Sequence, residues 1–241
     1  MRNSTLGVTF VQLLAGCVLA LAVEPDTIPT TDGALKITPI QHASLMLEFK
    51  NKVIYVDPSQ GDYSGLPKAD VILITDIHGD HMDTGKVKEL RKGSTVIITP
   101  AAVAKTVTEA TVINNGDNKA IAGIQVEAVP MYNLVRGPSQ GKLFHDKGRG
   151  NGYVLTLGGK RVYISGDTEC IPEMKALKSI DVAFVCMNLP YTMTPQEAAE
   201  CVRAFKPKIV YPYHYRDSDL NAFTNALKSE KGIEVRLRKW Y

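Results

Sequence analysis

The sequence predicts an α/β (α+β) fold in which two sheets are covered by helices. Short apolar strand signals crowd the first and middle parts of the chain, helices are interspersed among them, and the C-terminal part alternates helix with strand. That mixture suits two packed sheets better than one all-parallel sheet. With 241 residues, 44% of them hydrophobic, the chain can bury one substantial core, and residues 35–241 read as a single domain. A formal charge of +3 is close to balance, which leaves no electrostatic case for nucleic acid as a partner. The sequence shows no long charge block, low-complexity tract or internal repeat.

Residues 1–22 read as an export signal, because Arg2 precedes a mostly apolar stretch from Leu6 to Ala22 that is short for a membrane span. Ala20-Leu21-Ala22 offers a small-x-small cleavage site, and the expected location is periplasmic or secreted. Leu14-Ala15-Gly16-Cys17 offers the alternative of a lipid anchor on Cys17, although the apolar run after Cys17 favours cleavage after Ala22; an uncleaved anchor is a third option. Membrane contact is expected only through this segment, and an oligomer stays open. Residues 23–34, rich in Pro and Thr, read as a linker. Beyond the signal the cysteines are Cys170, Cys186 and Cys201, an odd count without close pairing. Cys186 in an apolar strand and Cys201 in a helix read as small buried hydrophobes, with at most one disulfide expected.

Strands are expected at 35–40, 44–49 and 53–56, the last two joined by a tight hairpin at Asn51-Lys52. The runs 71–75 and 95–99 follow with a helix over 84–91 between them, then strands at 124–129, 152–157 and 161–165, the last pair turning at Gly158-Gly159. A helix at 171–177 accepts Pro172 in its first turn. After a strand at 182–186, Thr194-Pro195-Gln196-Glu197 opens a helix to about Phe205 with a capping box. A strand at 209–213, a helix at 220–229 and a strand at 234–238 complete the order.

The chemistry concentrates in Asp76-Ile77-His78-Gly79-Asp80-His81, which follows the apolar run Val71–Thr75. An extended continuation would project residues 76, 78 and 80 to one side. Imidazoles and carboxylates are the donors that zinc, manganese and iron accept, and groups this crowded call for a cation between them. The alternative is a polar loop whose histidines cap a helix. Two more apolar strands end in such residues: Val162–Ser165 leads to Gly166-Asp167-Thr168, and Ile209–Tyr213 to His214. His42 either lines the floor of a site and donates to substrate or ties strands together in the core.

These segments, with Gln41-His42-Ala43-Ser44, Val56-Asp57-Pro58 and Gly152-Tyr153-Val154-Leu155, resemble metallo-β-lactamase-fold hydrolases from about Leu35 onward. Within that superfamily the chain looks closest to the group containing ascorbate-6-phosphate lactonase, with N-acylphosphatidylethanolamine phospholipase D a more distant relative. The resemblance implies a four-layer αββα sandwich with two mixed sheets and two divalent metals, zinc or manganese with iron possible. It implies Asp167 as the bridging carboxylate, Asp80, His81 and His214 at one metal, and His78 at the other. Asp57 matches an acid that orients the motif loop from behind the ligands. The family signature begins with His where this chain has Asp76, a harder and more anionic ligand that shifts preference from zinc toward manganese, iron or magnesium. A family histidine near the end of the 124–129 strand is replaced by Met131-Tyr132-Asn133, so either His145 supplies the missing imidazole or Asn133 coordinates weakly; failing both, one site is weak.

Metal-activated water then implies hydrolysis, with Asp80 orienting the nucleophile and shuttling a proton. The basic, Gly-rich segment from Arg136 to Gly150 reads as a lid in which Lys147 and Arg149 attract a phosphate or carboxylate on a small anionic substrate. Tyr191 either donates to the oxyanion or packs. The leading expectation is hydrolysis of a small anionic ester or lactone. The alternatives are a phosphodiesterase acting on lipid or nucleotide fragments and a non-catalytic metal-binding protein of the same fold.

Overall fold

The computed structural model describes residues 25–241. Two seven-stranded sheets share one plan, four antiparallel strands followed by three added in parallel. The first sheet runs β1 (Asp26–Thr30), β2 (Gly33–Gln41), β3 (Ser44–Phe49) and β4 (Lys52–Val56), then β5 (Ala69–Leu73), β6 (Arg91–Thr99) and β7 (Thr111–Val112). The second repeats it with β8 (Asn118–Ile121), β9 (Ile124–Met131), β10 (Gly150–Leu157) and β11 (Lys160–Ile164), then β12 (Val182–Cys186), β13 (Ile209–Tyr213) and β14 (Glu234–Val235). The duplication is one of topology, carried by no repeat in the residues. Helices α1 (Thr84–Leu90) and α2 (Ala101–Ala104) belong to the first half, and α3 (Pro172–Lys175), α4 (Pro195–Phe205) and α5 (Leu220–Leu227) to the second.

Alternation along the strands builds the layers. Leu45, Leu47, Ile54, Val56, Val71 and Leu73 of the first sheet share a core with Val126, Val154 and Ile164 of the second. The intervening Met46, Tyr55 and Ile72 face the other way and pack with Val87 and Leu90 of α1 and Val103 of α2. Each such aliphatic side chain contributes about 1.5–3 kcal/mol on full burial. Met174, Val202, Phe205, Phe223 and Leu227 bring α3, α4 and α5 onto the second sheet, which completes the αββα order. The capping box forms as expected, Thr194 accepting from the Glu197 N–H while the Glu197 carboxylate accepts from the Thr194 N–H.

Several expectations need correction. Residues 26–30, inside the presumed linker, form edge strand β1, which tolerates Pro29 because an edge need not donate on its open side. Strands β7 and β8 and the single turn α2 are too short to show a periodicity in the sequence, and the last strand spans only Glu234–Val235. Cys201 is not a plain core residue: it forms a disulfide with Cys170, while Cys186 stays free and buried. The signal segment and Cys17 lie outside the described residues, among which no helix is long and apolar enough to cross a membrane.

Candidate metal centre

The parallel strands of both sheets release their chains toward one place. Asp57 follows β4 with φ 46, and its carboxylate accepts from the Thr75 N–H (2.7 Å), the Thr75 hydroxyl (2.7 Å) and His81 Nδ1 (2.8 Å). The proton is thereby fixed on Nδ1 of His81, and Nε2 is left facing the Asp167 carboxylate at 3.3 Å. The chain does not continue extended past Thr75. The N–H groups of His81 and Met82 both bond to the His78 carbonyl (3.0 Å each), a turn that sends Asp76 and His78 to one group and Asp80 and His81 to two others that share His214. Gly166, at φ 60, lets the strand end lie against Met131 and Thr75: a Cβ there would stand 2.5 Å from Met131 Sδ.

Asp167 lies between the groups. His145 Nε2 is 3.2 Å from its Oδ2, and His214 Nε2 is 3.5 Å from its Oδ1 and equally 3.5 Å from Asp80 Oδ2. Three sets have donor atoms within 4.8 Å of one another: Asp76, His78 and His145; His81, Asp167 and His214; His42, Asp80 and His214. His81 Nε2, Asp167 Oδ1 and both ring nitrogens of His214 are buried without a hydrogen-bond partner. Buried polar atoms are seldom left so, and lone pairs facing carboxylates in this density fit divalent cations. Burial alone would raise the Asp167 carboxyl, but the imidazoles of His214, His81 and His145 outweigh it and hold the group well below the ordinary carboxylate range. Asp80 is lowered in the same way, burial opposing it while His214 beside it and a hydrogen bond from His42 favour its ionised form.

The remaining expected residues fall into two kinds. Asn133 does not point its oxygen into the cluster; Oδ1 accepts from His145 Nδ1 at 2.6 Å and from the His145 N–H at 2.9 Å, which aims His145 Nε2 at Asp167. His42, also left-handed at φ 57, spans from Asp80 Oδ2 (3.0 Å) to the Tyr241 hydroxyl, so it holds an acid in place instead of waiting for substrate. Lys147 leaves the site for Glu173 at 2.6 Å and the Tyr132 ring, and Arg149 forks onto Asp76 at 2.9 and 3.1 Å. Arg136 is bound to Glu197, and a Cβ on Gly137 would stand 1.6 Å from the Lys142 carbonyl oxygen. The segment expected to be a lid is therefore tied down along its length. Tyr191 stands in the wall of the cleft against Phe144.

Three participants escaped the sequence reading. Buried Glu169 accepts from Asn133 Nδ2 (3.1 Å) and from the N–H groups of Leu134, Val135 and Arg136, fixing the loop that carries Asn133; its only signal was its place two residues after Asp167. Tyr241 reaches His42 across 199 residues, and Arg216 opens into the cleft two residues after His214; neither announced itself.

A sandwich of two mixed sheets with paired His/Asp groups at one shared edge defines a metallo-β-lactamase-type fold. Residues 36–214 match the family model of the beta-lactamase superfamily domain. The chain belongs to the metallo-β-lactamase superfamily and, within it, to the UPF0173 metal-dependent hydrolase family. It is 27% identical to a UPF0173 metal-dependent hydrolase of Pelotomaculum thermopropionicum over 84% of this chain and 96% of that protein. With a Geobacillus member the identity is 32%, over 75% of this chain and 85% of the other. A solved structure from Parabacteroides distasonis, classed as a metal-dependent hydrolase, superposes with a TM-score of 0.85 at 47% identity, covering 90% of this chain and 99% of that one.

Proposed function

We propose that the double cluster holds two divalent cations and that the chain hydrolyses a small anionic ester or lactone, in the manner of the ascorbate-6-phosphate lactonase group it resembles. The position of Asp167 carries the reading: one buried carboxylate lies 3.2–3.5 Å from imidazoles of three histidines whose other contacts leave those nitrogens free. On this assignment Asp80, His81 and His214 hold one cation, Asp76, His78 and His145 the other, and Asp167 belongs to both. Zinc and manganese suit this donor set, with iron possible.

Cations held by these residues would supply a water whose pKa is lowered to about 7 and would polarise the carbonyl or phosphoryl oxygen under attack. The residues supply the rest. Asp57 and Asn133 fix which nitrogens of His81 and His145 face the centre. Asp80, held by His42 and still partly open to the cleft, orients the attacking water and takes its proton. The Cys170–Cys201 disulfide supports an exported location, since such bonds persist outside the reducing cytosol.

Metal analysis tests the centre. The wild-type protein should carry about two equivalents per chain, as a two-metal hydrolase requires, and His81→Ala no more than half of that. Undiminished metal in His81→Ala would contradict the assignment. Turnover of a lactone panel, and not of bis-p-nitrophenyl phosphate, separates the ester reading from the phosphodiesterase.

A further inference from the structure

We infer that Arg216 is the anion-binding residue of the cleft, so that the substrate carries a carboxylate or phosphate at the end remote from the bond that is cleaved. The inference rests on the hydrolase reading for that bond, but not for the binding.

The cleft beside the clusters encloses about 360 Å³, toward the small end of ordinary ligand pockets. His78, Asp80, His145 and Asp167 line it together with Phe144, Tyr191 and Arg216. The two aromatic rings meet edge to face with centroids 4.9 Å apart, and the Arg216 guanidinium lies 5.9 Å from the Tyr191 centroid. An apolar segment of substrate against Phe144 and Tyr191 would thus share one cleft with the metal centre and a cation.

Charge accounting singles out Arg216. Three of the four cations in the segment before β10 are paired within the fold, Arg136 with Glu197 and Glu169, Lys147 with Glu173 and Arg149 with Asp76, and the fourth, Lys142, does not line the cleft. Arg216 is the cation lining this cleft, and among the described residues no acid lies within ion-pair distance of it. A guanidinium presents a fixed fork of donors that matches the two oxygens of a carboxylate or phosphate, and here it has nothing to spend them on within the protein.

The backbone behind it is also held. Arg216 has φ 43, and its N–H donates to the Tyr241 hydroxyl oxygen at 3.0 Å. With that oxygen accepting, the hydroxyl proton goes to His42 Nδ1, and Nε2–H of His42 donates to Asp80 at 3.0 Å. One chain of hydrogen bonds ties the backbone that carries Arg216 to an acid of the metal centre, which sets where the guanidinium starts from.

The test is binding to the zinc-loaded full-length protein by calorimetry, with succinate against acetate and monomethyl succinate, and phosphonoacetate in parallel to rank phosphate against carboxylate. The wild type should bind the dianions at least about tenfold tighter than the monoanions, a difference of about 1.4 kcal/mol. Arg216→Gln should erase that preference and Arg216→Lys keep part of it. Equal preference in Arg216→Gln and wild type, or no preference in wild type, overturns the inference. Turnover is read separately, from mono-4-nitrophenyl succinate against 4-nitrophenyl acetate. Arg216→Gln should lower kcat/KM for the anionic ester relative to the neutral one; equal losses on both count against a specificity role. Hydrolysis of neither ester, with the dianion preference intact, removes the hydrolase reading and leaves the anion site standing.

Discussion

Asp76 stands where the superfamily signature has an imidazole, and Arg149 answers the extra negative charge. The guanidinium forks onto both carboxylate oxygens, at 3.1 and 2.9 Å, while His78 Nδ1 bonds one of them at 2.9 Å. A carboxylate paired with a guanidinium contributes about the net charge of a neutral histidine, so the pair restores the electrostatics that the substitution would upset. The expectation that Asp76 makes the site more anionic is thereby corrected: the oxygen donor remains hard, but its charge is already shared. The proximity of Arg149 also opposes a cation bound by Asp76, by an amount that solvent access reduces without abolishing. Arg149→Gln, which keeps a hydrogen-bond donor, should therefore tighten the weaker metal site by about tenfold, or about 1.4 kcal/mol. A competitive chelator titration measures this. Looser binding in the variant would show that Arg149 serves to aim Asp76 and that its charge is secondary.

Among the elements, the connection from β9 to β10 and helices α3 and α4 act as one assembly behind His145. Glu169 fastens the loop at 133–136, Lys147 meets Glu173 of α3, Arg136 meets Glu197 of α4, and the disulfide joins Cys170 to Cys201 of α4 across a separation of 31 residues. A crosslink closing a loop of that length stabilises by about 3–4 kcal/mol, chiefly by restricting the unfolded chain. Cys201→Ser, or wild type held in reductant, should lose stability of that order in urea titrations, and the loss should be the same by both routes. An unchanged midpoint would mean the bond does not form in solution. The strands and ligand-bearing strand ends were legible because alternation and donor residue types are local properties of sequence. The anchoring of the loop was not, because each tie pairs residues far apart in the chain: Arg149 with Asp76 is 73 residues distant, His42 with Tyr241 199. A run of lysines, arginines and glycines looks alike whether it closes over substrate or is fastened at most of its charges.

The whole molecule is two similar halves, and neither holds a complete centre. Asp57, Asp76, His78, Asp80 and His81 come from loops of the first sheet, and His145, Asp167 and His214 from those of the second. The geometry of the site therefore depends on how the sheets are docked, and Asp26 is one of the groups that dock them. Lying on β1, it accepts from the Tyr211 hydroxyl of β13 (2.6 Å), from Arg236 (3.0 Å) and from Arg238 (2.6 Å), the arginines following β14. Burial pushes the Asp26 carboxyl up, but the Tyr211 hydroxyl and the two guanidinium groups outweigh it and hold it below its ordinary value of 3.8. The sign follows. A carboxyl depressed in the folded state adds stability that is full above its unfolded pKa and is lost as the pH falls through the folded one. Asp26→Asn should cost about 2 kcal/mol at pH 7, the range of hydrogen bonds to a charged group. Urea titrations of both proteins across pH 7 to pH 2 should show that difference narrowing once the pH drops below 3.8, as the wild-type carboxyl protonates. A gap that stays constant over the whole range would show that Asp26 acts by shape and hydrogen-bond count, with no contribution from its charge, and that the docking of the halves is indifferent to acid at this point.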